Sequence, residues 1–211
     1  MCEFKLKDLI QNFFNLENQS LPNWIQPCIT NPNGYLKSYV WSDEYCYKIR
    51  LCELVIKGKF KAESLVIYPN TNLDAPIFGT EYVQVPNKRY FGAIDFHPIN
   101  ESEKYLNYLE MFPDTKIKKS RFYDLNTFFS KKFWTKRQSK DFYNEYLIWV
   151  KCYLHQYQKY LYDLHLSPNT LESLHQEYNL HMSQKDPAFG VLKIYFGKEF
   201  SKKYIGEFLF K

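Results

Sequence analysis

Glycine is scarce: the 211-residue chain holds only seven, and they are dispersed. With no P-loop and no G-x-G-x-x-G following a strand, a phosphate cradle built from backbone N–H groups is excluded. The G-x-S-x-G elbow is missing too, and no Cys and His stand in a recognisable nucleophile context. The five cysteines (2, 28, 46, 52 and 152) form an odd, scattered set without a C-x-x-C pair. A disulfide framework and a structural zinc site are therefore not expected. His155, His165, His175 and His181 lack H-E-x-x-H or comparable ligand spacing, and no metal site is expected. No apolar run approaches the roughly 18 residues of a membrane span. The start, MCEFKLKDLIQNFF, lacks the separate basic and apolar regions of a secretory signal, so a cytoplasmic location is expected.

What is present is aromatic and moderately basic. Nineteen Tyr, 18 Phe and four Trp make up 19% of the chain, and the net charge is +5. Tyrosine has a flat apolar body and a polar tip, which suits the walls of a pocket for a large planar ligand and equally suits an ordinary core. The charge concentrates in KIKKSR at 116–121 and SKKFWTKRQSK at 130–140, where an acidic partner could dock or a basic face could simply be solvated. A length of 211 residues, with no repeat or linker-like composition, predicts a single domain over 1–211.

Apolar spacing predicts an amphipathic helix over 3–16, then an irregular Pro- and Asn-rich stretch to about Tyr35. Strand signals follow in series in LKSYVW, YKIRLCELVI, ESLVIY, EYVQV and RYFGAIDF, with connections short enough to join antiparallel neighbours. From about Lys140 the period becomes helical through Phe142, Tyr146, Trp149, Tyr153, Tyr157 and Tyr160. Further helices are predicted over about 169–182 and on both sides of Gly197. Helices before and after a central antiparallel sheet define an α+β layered sandwich.

Three acids stand against apolar sequence: Glu81 closing PIFGTE, Asp95 inside FGAIDFHP and Asp186 opening DPAFG. Each has a plain structural explanation. Glu81 could be a solvent-facing carboxylate at a strand start, and Asp95 a strand-end acid satisfied by backbone donors. Asp186 could cap a helix whose first residue is proline. Composition and spacing leave the choice open.

Two distant blocks resemble the ferredoxin-dependent bilin reductases, which reduce open-chain tetrapyrroles. One is L-V-I-Y-P-x5-A-P-I-F-G-T-E at 65–81 with D-F-x-P at 95–98. The other is D-P-A-F-G-V-L-K-I-Y-F-G-K-E-F-S-K-K-Y-I-G-E-F-L-F at 186–210. Between them F-F-S-K-K-F-W-T-K-R and the tyrosine-spaced helix also fit, so the likeness spans about 45–211. It implies a three-layer α/β/α sandwich with a central antiparallel sheet and the bilin held between the sheet and the C-terminal helices. It also implies no bound flavin or metal, with electrons arriving singly from reduced [2Fe-2S] ferredoxin and protons supplied by carboxylates.

By that resemblance Glu81 stands where the family generally has its central aspartate, one methylene shorter. Asp186 falls on the second, C-terminal aspartate. Both are expected to be catalytic. Ser64 replaces the histidine of the phycocyanobilin-forming branch or the asparagine of the phycoerythrobilin and phytochromobilin branches. Ser64, Asp95, Lys136 and Arg137 are expected to bind substrate, the last two near the family's propionate-binding arginine. Lysines at 116–132 are expected to steer acidic ferredoxin. The implied substrate is biliverdin IXα or 15,16-dihydrobiliverdin, and the implied product a phytobilin of phycoerythrobilin or phytochromobilin type. A heme oxygenase or a second bilin reductase is an expected partner, and a monomer the expected state. A bilin carrier without turnover is the alternative. An RNA-binding module has the composition but no motif.

Overall fold

Alternating side chains along the strands bury both faces of one sheet, and this two-sided burial creates the layers. The computed structural model describes residues 5–113, 128–163, 166–167 and 170–211. Eight strands are found among them: β1 Glu17–Asn18, β2 Cys28–Asn31, β3 Gly34–Asp43, β4 Cys46–Ile56, β5 Phe60–Pro69, β6 Ile77–Val85, β7 Arg89–His97 and β8 Trp134–Gln138. They form one sheet in the order β1-β3-β4-β5-β6-β7-β8, with β2 also paired to β3. Every pairing is antiparallel. The central meander thus follows the sequence expectation. Its β4–β5 connection turns through Gly58 at φ 69°, a backbone region that favours glycine.

One face carries Ile49, Leu51, Leu65, Ile67, Phe78 and Phe96 into a core closed by three helices, α1 Leu6–Ile10, α2 Glu103–Leu109 and α3 Tyr143–Tyr162. On α3, Tyr143, Tyr146, Val150, Tyr153, Leu154, Tyr157, Tyr160 and Leu161 are buried. Many of their hydroxyls end on fixed acceptors. Tyr157 Oη donates to Pro76 O at 2.8 Å, Tyr160 Oη to Asp74 O at 3.0 Å, and Tyr146 Oη lies 2.8 Å from Thr80 Oγ1. Buried tyrosines usually find such a partner, although the Tyr153 hydroxyl has none among the described residues. Much of the tyrosine surplus therefore serves this core rather than a ligand wall.

The opposite face carries Leu36, Cys52, Leu54, Val66, Tyr68 and Ala93 into a second core. It is covered by α4 Glu172–Lys185, α5 Ala188–Phe196, α6 Lys198–Tyr204 and a closing π-helical turn, Ile205–Leu209. Gly197, at φ 89°, separates α5 from α6. The result is the expected α+β fold in three layers, α/β/α.

Local expectations are corrected at the start of the chain. The first helix ends at Ile10 rather than 16, because the Asn12-Phe13-Phe14-Asn15 stretch favours helix weakly and Asn15 N instead donates to Asp43 Oδ2 at 2.9 Å. The stretch expected to be irregular contains β2, since Pro27 and Pro32 flank that strand instead of interrupting its ladder. The basic run at 134–138 is β8, an edge strand, where Lys and Arg are tolerated.

Candidate active site

The strand β6 begins at Ile77, not at Glu81, and it lies inside the sheet between β5 and β7. Glu81 is therefore a mid-strand residue, and the expectation of a solvent-facing carboxylate at a strand start fails. Alternation puts Phe78, Thr80 and Tyr82 against α3 and turns Gly79, Glu81 and Val83 toward α4–α6. Register then aligns Cys52, Ser64, Glu81 and Ala93 as a cross-strand row on that face. The adjacent row is Arg50, Val66, Gly79 and Asp95.

Between this face and the C-terminal helices lies a cavity of about 380 Å³. Glu81 and Ser64 belong to its sheet wall, and Asp186, Pro187 and Tyr204 to its helical wall. A smaller cavity of about 70 Å³ continues inward past Gly79 to Asp95 and His97, sharing Arg50, Ser64, Glu81 and Asp186 with the first. A larger groove of about 660 Å³ lies between residues 70–72 and α4, but none of the expected site residues lines it.

Glu81 and Asp186 each retain surface that opens into the cavity while being hidden from bulk water. Burial raises the Glu81 carboxyl to about 8, with repulsion from Asp186 adding to the rise and the Arg50 charge opposing it. Burial also raises Asp186, against a backbone hydrogen bond and the Arg50 charge. Burial thus favours the neutral, proton-holding form of both acids.

Asp186 lies at the junction of α4 and α5, where Pro187 is the N-cap residue of α5. Ala188 N donates to Asp186 Oδ1 at 2.7 Å. The carboxyl thus accepts a hydrogen bond from the first turn of α5 and lines the cavity.

Asp95 is buried, accepting hydrogen bonds from Ser130 N at 3.0 Å and from Ser130 Oγ. It lies at the smaller cavity rather than the main one. His97 Nδ1 donates to Phe128 O at 2.9 Å and stands 3.2 Å from Asp95 Oδ2. Its ring covers Gly79 so closely that a Cβ there would lie 2.4 Å from His97 Nε2.

The two cations of β8 part company. Arg137, paired with Phe91, is on the cavity face, and with Arg89 it lines the outer part of the cavity. Lys136, paired with Gly92, is on the α3 face, where its Nζ meets both carboxylate oxygens of Glu145 at 2.5 and 2.6 Å. The grouping of Lys136 with the substrate-binding residues is thereby corrected: alternation along the strand turns it away. Residues 116–121, expected to steer ferredoxin, lie outside the described residues, and Lys132 Nζ is 3.6 Å from Glu110. Sequence reasoning missed Arg50, Arg89 and His97. Arg50 had a signal, a cation inside the apolar run YKIRLCELVI.

Residues 4–211 match the family model described as ferredoxin-dependent bilin reductase. The chain belongs to the ferredoxin-dependent bilin reductases. It is an oxidoreductase whose electrons come from ferredoxin and whose substrates are bilins. Among similar bilin reductases, the 15,16-dihydrobiliverdin:ferredoxin oxidoreductase of Nostoc punctiforme is 26% identical over 229 residues, covering 99% of this chain and 93% of that protein. The protein of the same name from Prochlorococcus marinus strain NATL1A is 28% identical over 226 residues, covering 97% and 94%. The fold is shared with tomato phytochromobilin synthase, solved in complex with biliverdin. Their TM-score is 0.77 at 18% identity, and the match covers 96% of this chain and 79% of that one. No helix among the described residues is long and apolar enough to cross a membrane.

Proposed function

We infer that this bilin reductase takes 15,16-dihydrobiliverdin or biliverdin IXα to a phytobilin of the phycoerythrobilin type, with Glu81 and Asp186 as its proton donors. One observation carries the reading: two carboxyls face a single cavity from its opposite walls, and Glu81 holds its proton up to about pH 8. An electron added to a bound bilin raises the basicity of its ring system. A neighbouring carboxylic acid then gives up its proton, because its own desolvated charge becomes less costly beside the proton it has delivered. Two such acids suit two successive proton transfers. The names of the relatives, 15,16-dihydrobiliverdin:ferredoxin oxidoreductases, support the choice of substrate.

The remaining roles follow from position. Ser64, directly across from Glu81, shapes the space over the acid. Arg137, with Arg89, offers the outer end of the cavity a pair of cations for the bilin's propionates. Asp95 supports the inner end through Ser130 and His97 rather than from the main cavity. In this reading the chain works as a monomer, receiving its substrate from a heme oxygenase or a second bilin reductase.

The test is anaerobic incubation of the protein with each of the two bilins, reduced ferredoxin and a regenerating reductase, followed by chromatography of the pigment. A blue-shifted spectrum and a reduced product are expected. Unchanged pigment with both substrates would overturn the reading and leave a carrier.

A further inference from the structure

Arg50, on β4 inside the sheet, is buried with a residue exposure of 1%. Its Nε has no hydrogen-bond partner among the described residues. Nη1 makes a contact of 3.6 Å to Cys52 Sγ, a weak acceptor, and the guanidinium carbon lies 5.3 Å from the Phe210 ring centroid. No carboxylate among the described residues forms an ion pair with it. A buried guanidinium with spare donors carries a large desolvation cost. That cost is offset when an acceptor arrives, and Arg50 lines both connected cavities.

Strand register fixes what can reach it. On the cavity face the rows run from Arg137 with Phe91, through Ser64 with Glu81, to Arg50 with Asp95. Phe91 and Asp95 are four residues apart on β7, so the outer and inner rows are separated by about 13 Å. The outer cations are exposed, as suits fully charged propionates that remain partly hydrated, whereas Arg50 is inside. A linear tetrapyrrole folded as a horseshoe carries both propionates on one edge and both terminal lactam oxygens on the other. In an orientation with the propionates at the outer row, the ring system would lie across the Ser64–Glu81 row and a lactam oxygen would point toward the inner row. A neutral carbonyl enters that depth at far lower desolvation cost than a carboxylate.

We propose that Arg50 is a substrate-binding residue that donates hydrogen bonds to a terminal lactam oxygen of the bilin, fixing which edge enters the cavity first. This rests on the functional reading above. The same bond places a positive charge where electron density collects once the ring system is reduced, favouring the charged state before the proton arrives.

The experiment uses the full chain with 15,16-dihydrobiliverdin, its dimethyl ester and bilin carrying ¹⁸O at the lactam positions. In the wild type, isotope-edited infrared spectra should show a lactam C=O stretch moved to lower frequency than in aqueous solution. Arg50→Gln should reverse that movement and weaken binding by about tenfold or more, the range of a charge-assisted hydrogen bond. Arg50→Lys should recover part of both. Esterifying the propionates should weaken wild type and Arg50→Gln by the same factor. A wild-type lactam stretch equal to that in water overturns the proposal without reliance on any variant's folding. So does an ester effect that vanishes in Arg50→Gln, which would put a propionate on Arg50 instead. If wild type binds neither bilin, the functional reading fails first; if it binds and reduces them with an unmoved stretch, only the role of Arg50 fails.

Discussion

Ser64 on β5 and Glu81 on β6 are directly opposed cross-strand partners on the face that looks toward the C-terminal helices. Directly opposed residues in an antiparallel pair hold their Cβ atoms about 5 Å apart. The small serine therefore sits beside the acid without a bulky or basic group of its own, and Glu81 is governed by burial, Asp186 and Arg50.

Glu81→Gln keeps the shape of the side chain and removes its proton. Bilin binding should change little, whereas turnover should fall by about 10²- to 10⁴-fold, the usual contribution of a positioned acid. A bilin radical should accumulate after the first electron, visible by electron paramagnetic resonance. In the wild type the rate should decline as pH rises through about 8, because the raised Glu81 carboxyl is then deprotonated. Wild-type turnover by the variant would remove Glu81 from the mechanism.

Asp186→Asn retains an acceptor for the Ala188 N–H, and asparagine caps about as well as aspartate. The thermal midpoint should therefore stay within a few degrees while the reaction stalls at a partly reduced bilin. Product analysis by chromatography separates this from a purely structural role, in which the pigment would be fully reduced.

Arg137→Ala should raise the KM for bilin by about tenfold, the loss expected for a charge-assisted contact. Lys136→Ala should alter it less than twofold, since Lys136 occupies the opposite face with Glu145. Using the dimethyl ester of the bilin should abolish the difference between Arg137→Ala and wild type. Equal effects of the two substitutions would contradict the facing of β8.

Glu63 makes a prediction about stability rather than turnover. It is fully buried on the α3 face, where Tyr143 Oη donates to its carboxyl at 2.7 Å, and burial raises it from 4.5 to about 8. The folded chain thus holds a proton that the unfolded chain releases near pH 4.5. Its contribution is complete below that pH and is lost progressively as pH rises to about 8, by a few kcal/mol on the order of 1.4 per pH unit. Glu81 acts in the same direction. Urea unfolding at pH 5, 6.5 and 8 should show wild type losing stability while Glu63→Gln loses less and exceeds it at pH 8. Parallel curves for the two proteins would refute this.

Gly79→Ala should destabilise the fold by about 1–3 kcal/mol through overpacking. The His97 ring it would meet is held by Phe128 O and lies 5.1 Å from the Tyr178 ring, so it has little room to swing. Denaturant midpoints measure the effect, and an unchanged midpoint would mean that the ring moves freely.

The sequence alone determined the antiparallel meander, because period-two alternation and short turns leave few other ways to bury LKSYVW through RYFGAIDF. It also determined the tyrosine-lined α3, whose three- and four-residue spacing demands one apolar face. It singled out Glu81 and Asp186 through motif blocks, and Arg50 was visible only as a cation within an apolar run. Tertiary structure decided which face each residue serves. A strand that starts four residues earlier turns Glu81 from an expected edge position into the middle of the sheet, and alternation on β8 keeps Arg137 while discarding Lys136. Residues 81 and 186 meet across a cavity because strand register and helix layering bring them together, and neither long-range relation is encoded in local spacing. Local periodicity reports which side of its own element a residue occupies; only packing reveals what stands opposite.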